Sequence, residues 1–338
     1  MYGYRLTHLN SLNSLFSLSS GVMSSFTRHY LINQSVRHIG TNGTRFFSKI
    51  TAPNTITIRK MDNNDMVLLT NWAIREGWNP GLHESSSFFA ADPSGYHLLE
   101  VNHKPVASLA SVRYSSEFAF LGLYIVDPQH RGQGYGKFLW DNGLNYLNGC
   151  SAIGLNGVAE QVQQYKKEGF VIANTNTRWQ GNLFFSKRAM INQDKSIVIS
   201  KPTSISAIID YDINVFPVPR VSFLTKWLAM PESNVLIATN QGKICGYGVI
   251  SKTSNGHKIA PLYADNHLIA EQLYKGLCAT VADPGLVHID TSAANPSAAT
   301  LAQRFGLQKT FDTFRMYRGN ARPIDEHKCY GLTSLEIG

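Results

Sequence analysis

Apolar positions recur at helical spacing from Asp65 to Glu76 and, more briefly, from Ser86 to Ala91, just ahead of a turn at Asp92 to Gly95. Past that turn the pattern changes. Tyr96 to Val101, Val106 to Arg113 and Phe118 to Val126 are β-rich runs broken by Asn102 to Lys104 and by Ser115 and Ser116, which predicts a meander of antiparallel hairpins. A glycine-rich loop follows, then a helix with Trp140, Leu144 and Leu147 on one stripe, a short strand near Ala152 to Leu155 and a helix from Val158 to Lys167. From Val171 the pattern returns to strand. A meander passing into a β-α-β-α-β half predicts a mixed, mostly antiparallel sheet with helices on both faces, an α/β (α+β) fold.

These landmarks recur at a nearly constant spacing. Ile56 to Lys60 matches Ile197 to Lys201, Pro93 matches Pro231, Lys104 matches Lys243, Leu123 and Tyr124 match Leu262 and Tyr263, and Gly169 matches Gly306, at offsets between 137 and 141. Each match alone carries no weight, but their shared register predicts an internal duplication. The expected domains are residues 55–193 and 194–338, the second diverged from the first.

Composition narrows the class. A 43% hydrophobic content is ordinary for a globular chain, and 16% charged residues is low. No apolar run approaches the roughly 18 residues that span a bilayer, so membrane insertion is not expected. Cys150, Cys245, Cys278 and Cys329 have no C-x-x-C spacing and read as ordinary thiols. The net charge of +8 is unevenly distributed: no acidic residue precedes Asp62, and Arg5, Arg28, Arg37 and Arg45 supply half of the excess. The remainder is not basic enough to suggest a nucleic-acid partner.

An acid-free, Ser-rich, Arg-containing start in which Leu6, Leu9, Leu12 and Phe16 can share a helical face has the composition of a mitochondrial transit peptide. Arg45 to Ser48 resembles a matrix processing site cut after Phe47. Residues 1–47 are therefore expected to be a leader and the mature protein to lie in the mitochondrial matrix, the alternative being a cytoplasmic protein with a disordered tail.

The loop from Val126 to Gly136 carries the sharpest chemical signal. Arg131, Gly132, Gln133, Gly134, Tyr135 and Gly136 lie between a strand and a helix. Residues able to take tight or left-handed conformations let several backbone N–H groups converge on one anion, and the helix behind them adds its positive end. This predicts a phosphate cradle. A dinucleotide fold would place such a loop near the start of a β-α-β unit with an acidic residue about 20 positions later, and no Lys-Ser or Lys-Thr pair supports a P-loop.

Arg131, Gly134 and Gly136, after a strand ending in Val126, Asp127 and Pro128, resemble motif A of the GCN5-related N-acetyltransferases (GNATs). Gly77 to Gly81, Asp92 and Pro93, Arg315 to Tyr317 and Gly331 to Glu336 resemble its two-domain YitH-like branch. The resemblance implies tandem GNAT folds and an acyl-CoA substrate, most simply acetyl-CoA, with its pyrophosphate on the amides of residues 131 to 136. The pantetheine arm would lie along Tyr124, Ile125 and Val126 like an added strand. Tyr165, four residues before Gly169, stands where related transferases carry a phenol that protonates the leaving thiolate; the alternative is a buried stripe of Val158, Val162 and Tyr165. Many relatives place a general-base carboxylate on the strand just before Val126, where this chain has Gly122 and Leu123. Glu76, His83 and Glu84 are the candidates for that base, Glu84 foremost, unless they are solvated surface residues. Trp78 and Asn79 are candidate acceptor contacts. No histidine spacing suggests a metal.

The second copy reads Tyr263 to Glu271 where the cradle should be, without a glycine, and has Ala302 in place of the phenol. It is expected to play a structural or acceptor-covering role. The function expected is therefore transfer of an acetyl group to an amine of a small molecule or peptide, in a ternary complex in the first domain. The alternatives are an acyl-CoA sensor without chemistry and a glycine N-acyltransferase-like enzyme using longer acyl chains.

Overall fold

A computed structural model of the chain describes residues 28–31, 54–191, 193–282, 285–320 and 324–338. The expected leader helix over Leu6 to Phe16 and the cut after Phe47 lie outside these residues. A short strand, β1 (Arg28–Leu31), pairs antiparallel with β2 (Thr55–Lys60).

The first half continues with α1 (Asn63–Arg75), α2 (Glu84–Ala91), β3 (Tyr96–Val101), β4 (Lys104–Arg113), β5 (Phe118–Val126), α3 (Tyr135–Tyr146), β6 (Ala152–Gly157), α4 (Val162–Lys167) and β7 (Val171–Asn182). Asp62 starts α1 by accepting from the amides of Asn64 and Asp65, while Asp65 accepts from the amide of Asp62 at 2.8 Å, a reciprocal cap. The expected helix from Val158 is split, because Ala159–Gln161 first makes a 3₁₀ turn.

After α5 (Leu183–Arg188) the second half repeats the order: β8 (Ile197–Ser200), α6 (Ser206–Asp212), α7 (Val221–Trp227), β9 (Ser233–Asn240), β10 (Lys243–Thr253), β11 (Gly256–Ala264), α8 (His267–Ala279), β12 (Leu286–Ser292), α9 (Pro296–Arg304), β13 (Gln308–Gly319) and β14 (Cys329–Gly331). β7 and β13 have the same length and the same sequence of buried and exposed positions. The duplication read from the sequence is thus repeated in three dimensions.

The halves do not close as separate sheets. One fourteen-stranded sheet runs β1-β2-β3-β4-β5-β6-β13-β7-β12-β11-β10-β9-β8, with β14 attached to β11. Each half gives its last long strand to the other: β13 lies against β6, and β7 lies against β12. Buried polar side chains fix this exchange, since Arg178 of β7 grips Asp290 of β12 with two 2.7 Å bonds and Arg315 of β13 donates to Asn156 of β6 at 2.8 Å. A one-residue slip would turn either arginine to the other face of the sheet and strand its partner.

Helices cover the sheet on both faces. On one, α1 and α2 meet α6 and α7, and Phe88 stacks on Trp227 across the halves at 6.1 Å. On the other, Leu139, Trp140 and Leu147 bury against Leu109, Leu121 and Phe170, with Leu144 at the margin.

Candidate active site

The site forms where two strands part. β5 and β6 pair in parallel from Phe118 and Ala152 only as far as Leu121 and Leu155. On its other side β5 stays paired with β4 as far as Val126, through a register slip at which Leu123 adopts φ of 47° and its carbonyl accepts from Ser108 Oγ at 2.9 Å. Such a bulge increases the local twist and turns the outer part of β5 away from β6. A cavity of about 550 Å³ fills the wedge. From Gly122 to Val126 the edge of β5 facing that cavity has no strand partner among the described residues.

Of the glycine-rich loop, Arg131 lines this cavity. Gly132 and Gly134 have φ of 76° and 85°, a region that side chains with a Cβ rarely adopt. Gly134 is the cap position of α3 and brings no side chain to its first amides, so these remain available to an anion. Gly136 serves packing instead, because a Cβ there would strike the hydroxyl of Tyr124; the glycine lets α3 approach β5. Gln133 and Tyr135 line a separate depression with Lys104 and His130. Arg131 Nε donates to Val126 O at 2.9 Å and Nη2 to Glu76 Oε1 at 2.7 Å.

Tyr165 forms part of the floor, stacked on Trp140 with ring centroids 5.3 Å apart. Burial raises its pKa well above the ordinary phenol value, helped by Tyr124, whose own phenol is pushed up to about 12 by burial. Tyr165 therefore carries its proton throughout the neutral range. Val162 is buried in the expected stripe, whereas Val158 is exposed at the cavity rim.

The acceptor end differs from expectation. Trp78 lines the cavity and its carbonyl accepts from Arg178 Nη1. Asn79 does not line it: Oδ1 accepts from Ser254 Oγ at 2.8 Å and from the Asn255 amide at 3.1 Å, tying the loop to the β10–β11 turn of the second half. His83 pairs with Glu232 at 2.9 Å on the surface. Glu84 is neither solvated nor in the cavity lining; it is 1% exposed and ion-paired with Lys258 Nζ at 2.6 Å. Burial raises the carboxyl pKa of Glu84, with Lys258 opposing. Among the candidate bases, Glu76 alone lines the cavity, engaged by Arg131.

Several lining residues come from strands and segments that sequence reasoning assigned to the other half or left without a role. Phe311 and Thr313 of β13, and Leu335 and Glu336 after β14, reach across. The strand exchange puts Phe311 and Thr313 there and the run after β14 puts Leu335 and Glu336 there, and no local pattern announces either.

In the second half the equivalent wedge is filled. β11 pairs with β12 over His257 to Ile259, and beyond that point β14 pairs with β11 through Leu262 and Tyr263. Eight residues separate β5 from α3, but only two separate β11 from α8. Asn266 Oδ1 accepts from the Ile269 amide at 3.1 Å and so caps α8 itself. Here β14 covers the strand edge and a side chain caps the helix start.

Family models describe the same two units: one for the acetyltransferase (GNAT) family matches residues 63–170, and one for an acetyltransferase (GNAT) domain matches residues 208–331. A holothin acyltransferase of Pseudoalteromonas sp. (strain SANK 73390) is 30% identical over 271 residues, covering 80% of this chain and 90% of that protein. The chain belongs to the GNAT acyltransferases. The uncharacterized N-acetyltransferase YitH of Bacillus subtilis (strain 168) is 24% identical over 221 residues, 64% of this chain and 76% of that one. In fold, this GNAT chain resembles a candidate acetyltransferase from Pyrococcus horikoshii, with a TM-score of 0.68 at 20% identity over 89% of this chain and 100% of the other. Among the described residues no cluster of His, Cys, Asp and Glu could hold a metal ion, and no helix is long and apolar enough to cross a membrane.

Proposed function

We propose that this acyltransferase uses acetyl-CoA as donor and an amine of a small molecule or peptide as acceptor, in the wedge between β5 and β6. The observation that carries this reading is that an unpaired strand edge and a protonated phenol line one cavity, and that Arg131, which also lines it, leads directly into a helix start free of a capping side chain. The amides of residues 131–136 would hold the pyrophosphate, and Tyr124 to Val126 would pair with the pantetheine amides. Tyr165, in the cavity lining, would protonate the departing thiolate. Because burial disfavours a free phenolate, that donation must be coupled to return of the proton the nitrogen sheds on bonding.

The relative's name specifies an acyl group without its length, and a longer chain than acetyl is tested in the same assay. The test is incubation with acetyl-CoA, or with longer acyl-CoA, and a panel of amines and peptides, followed by mass spectrometry and by calorimetry. One acyl-CoA site per chain and an acylated amine are expected; tight binding without transfer to any acceptor would leave a sensor. We also propose the mitochondrial matrix as its location, on the composition of residues 1–47. The protein recovered from cells should then begin near Ser48, and an intact Met1 in the cytosol would overturn this.

A further inference from the structure

The position where β5 offers no carboxylate is covered by a different part of the chain. Gly122 faces the segment after β14 so closely that a Cβ on it would collide with the carbonyl oxygen of Glu336. The segment is held in place: Asn156 Nδ2 donates to Leu335 O at 2.8 Å and Tyr114 OH to Ile337 O at 3.0 Å. Ser334 Oγ accepts from the amides of Glu336 and Ile337 and donates to Glu336 Oε2 at 2.7 Å. Glu336 is 5% exposed and lines the same cavity as Tyr165 and Trp78.

Charged groups from several elements face it. Arg178 of β7 is taken by Asp290 of β12, and Lys258 of β11 by Glu84 of α2. His288 of β12, also in this cluster, has its pKa lowered by burial and stays neutral above neutrality. Arg315 of β13, also buried, donates to Asn156 and to Tyr317 OH rather than to a carboxylate, so this end of the cavity holds three cations and the carboxylates of Asp290, Glu84 and Glu336, of which Glu336 lines the cavity. A carboxylate in the wall of a cavity, out of bulk water, favours a cationic hydrogen-bond donor, and an amine that is protonated in water is such a donor.

We propose that Glu336, delivered by the second half of the chain, is a catalytic residue of the first: it binds the acceptor as an aliphatic ammonium ion and takes one proton from it. This rests on the acyl-CoA function proposed for the wedge. The proton moves from nitrogen to the Glu336 carboxylate, the free amine forms the C–N bond at the thioester carbonyl, and the C–S bond breaks. Tyr165 gives its proton to sulfur and regains one from the nitrogen, which has now shed two. Glu336 releases its proton to solvent. The degenerate half thus completes the active one.

The experiment compares wild type with Glu336→Gln, using acetyl-CoA and aliphatic amines from ethanolamine to tyramine and spermidine, with p-anisidine as an amine already neutral at pH 7. Calorimetry should give acetyl-CoA affinities within twofold of each other. kcat/KM for the aliphatic amine should fall at least about 100-fold at pH 7, and the gap should narrow toward pH 9.5 as free amine accumulates. The loss on p-anisidine should be much smaller. Wild-type activity in Glu336→Gln, a gap equal at every pH, or a wild type that accepts no aliphatic amine would each overturn the proposal. If Glu336→Gln fails to fold, Glu336→Asp decides: a lower kcat at unchanged KM for acetyl-CoA is expected, and an unchanged kcat would refute the role. Failure of wild type to bind acetyl-CoA would instead defeat the donor reading.

Discussion

Lys258 of the second half and Glu84 of the first meet at 2.6 Å with side chains 2% and 1% exposed. Both charges are out of water, so each depends on the other. Removing one partner of such a pair leaves an uncompensated buried charge, which costs about 3 to 5 kcal/mol. Lys258→Met should therefore lower the unfolding free energy from urea titration by an amount in that range, and Glu84→Gln/Lys258→Met should recover much of the loss. If Lys258→Met unfolds at the wild-type midpoint, the pair does not join the halves as described.

A second buried group links stability to acidity. His97 of β3 sits edge-on to Tyr146 at 5.3 Å, and burial lowers its pKa to about 4, Lys60 contributing in the same direction. In the unfolded chain it titrates near 6.5, so between about pH 6.5 and 4 the unfolded state binds the proton and the folded state does not. Stability is fully present above pH 6.5 and is lost as pH falls to about 4, by about 3 kcal/mol for this one group. Urea unfolding at pH 7.5 and 4.5 should show a smaller difference in His97→Phe than in wild type. An equal difference would mean that His97 is protonated in the fold.

Most of the fold was legible because its signals are local. Alternation at Phe118 to Val126, helical spacing at Asp65 to Glu76 and the glycines of residues 132–136 each describe their own surroundings. The shared register of Leu123 and Leu262, or of Gly169 and Gly306, exposed the duplication for the same reason. The exchange of β7 and β13 was not legible, because either strand's alternation suits any neighbouring sheet and only long-range pairings such as Arg178 with Asp290 and Arg315 with Asn156 select one. Glu84 illustrates the resulting error. An acidic residue beside a loop reads as solvated until a lysine 174 positions later in the sequence is known to lie on it. Glu336 closes the stretch from Gly331 that resembles the two-domain branch, yet nothing within that stretch points to Gly122.

The cradle gives a prediction in which conformation, not crowding, is decisive. A Cβ on Gly134 meets nothing within 4 Å, so a side chain has room, but the left-handed φ of 85° is strongly unfavourable for a β-branched residue. Gly134→Val should shift the loop and misdirect the first amides of α3. Acetyl-CoA affinity by calorimetry should fall at least tenfold, while stability changes by about 1 to 3 kcal/mol. Wild-type affinity in this variant would remove the phosphate cradle from the mechanism.

Tyr165 separates chemistry from binding. Its ring stacks on Trp140 and lies against Gly157, where a Cβ would come within 2.9 Å of ring carbons. Tyr165→Phe keeps those ring contacts and removes only the proton donor, so the thermal midpoint and acetyl-CoA affinity should stay close to wild type. Turnover should slow by about 10² or more. Because burial holds the phenol protonated across the neutral range, the loss should be the same from pH 6 to pH 9. Loss of Glu336 should behave differently, shrinking as the acceptor amine deprotonates. The two pH profiles therefore assign the two protons independently: a flat deficit to the one delivered to sulfur, a closing deficit to the one taken from nitrogen. Full activity in Tyr165→Phe would show that the thiolate leaves without a phenol.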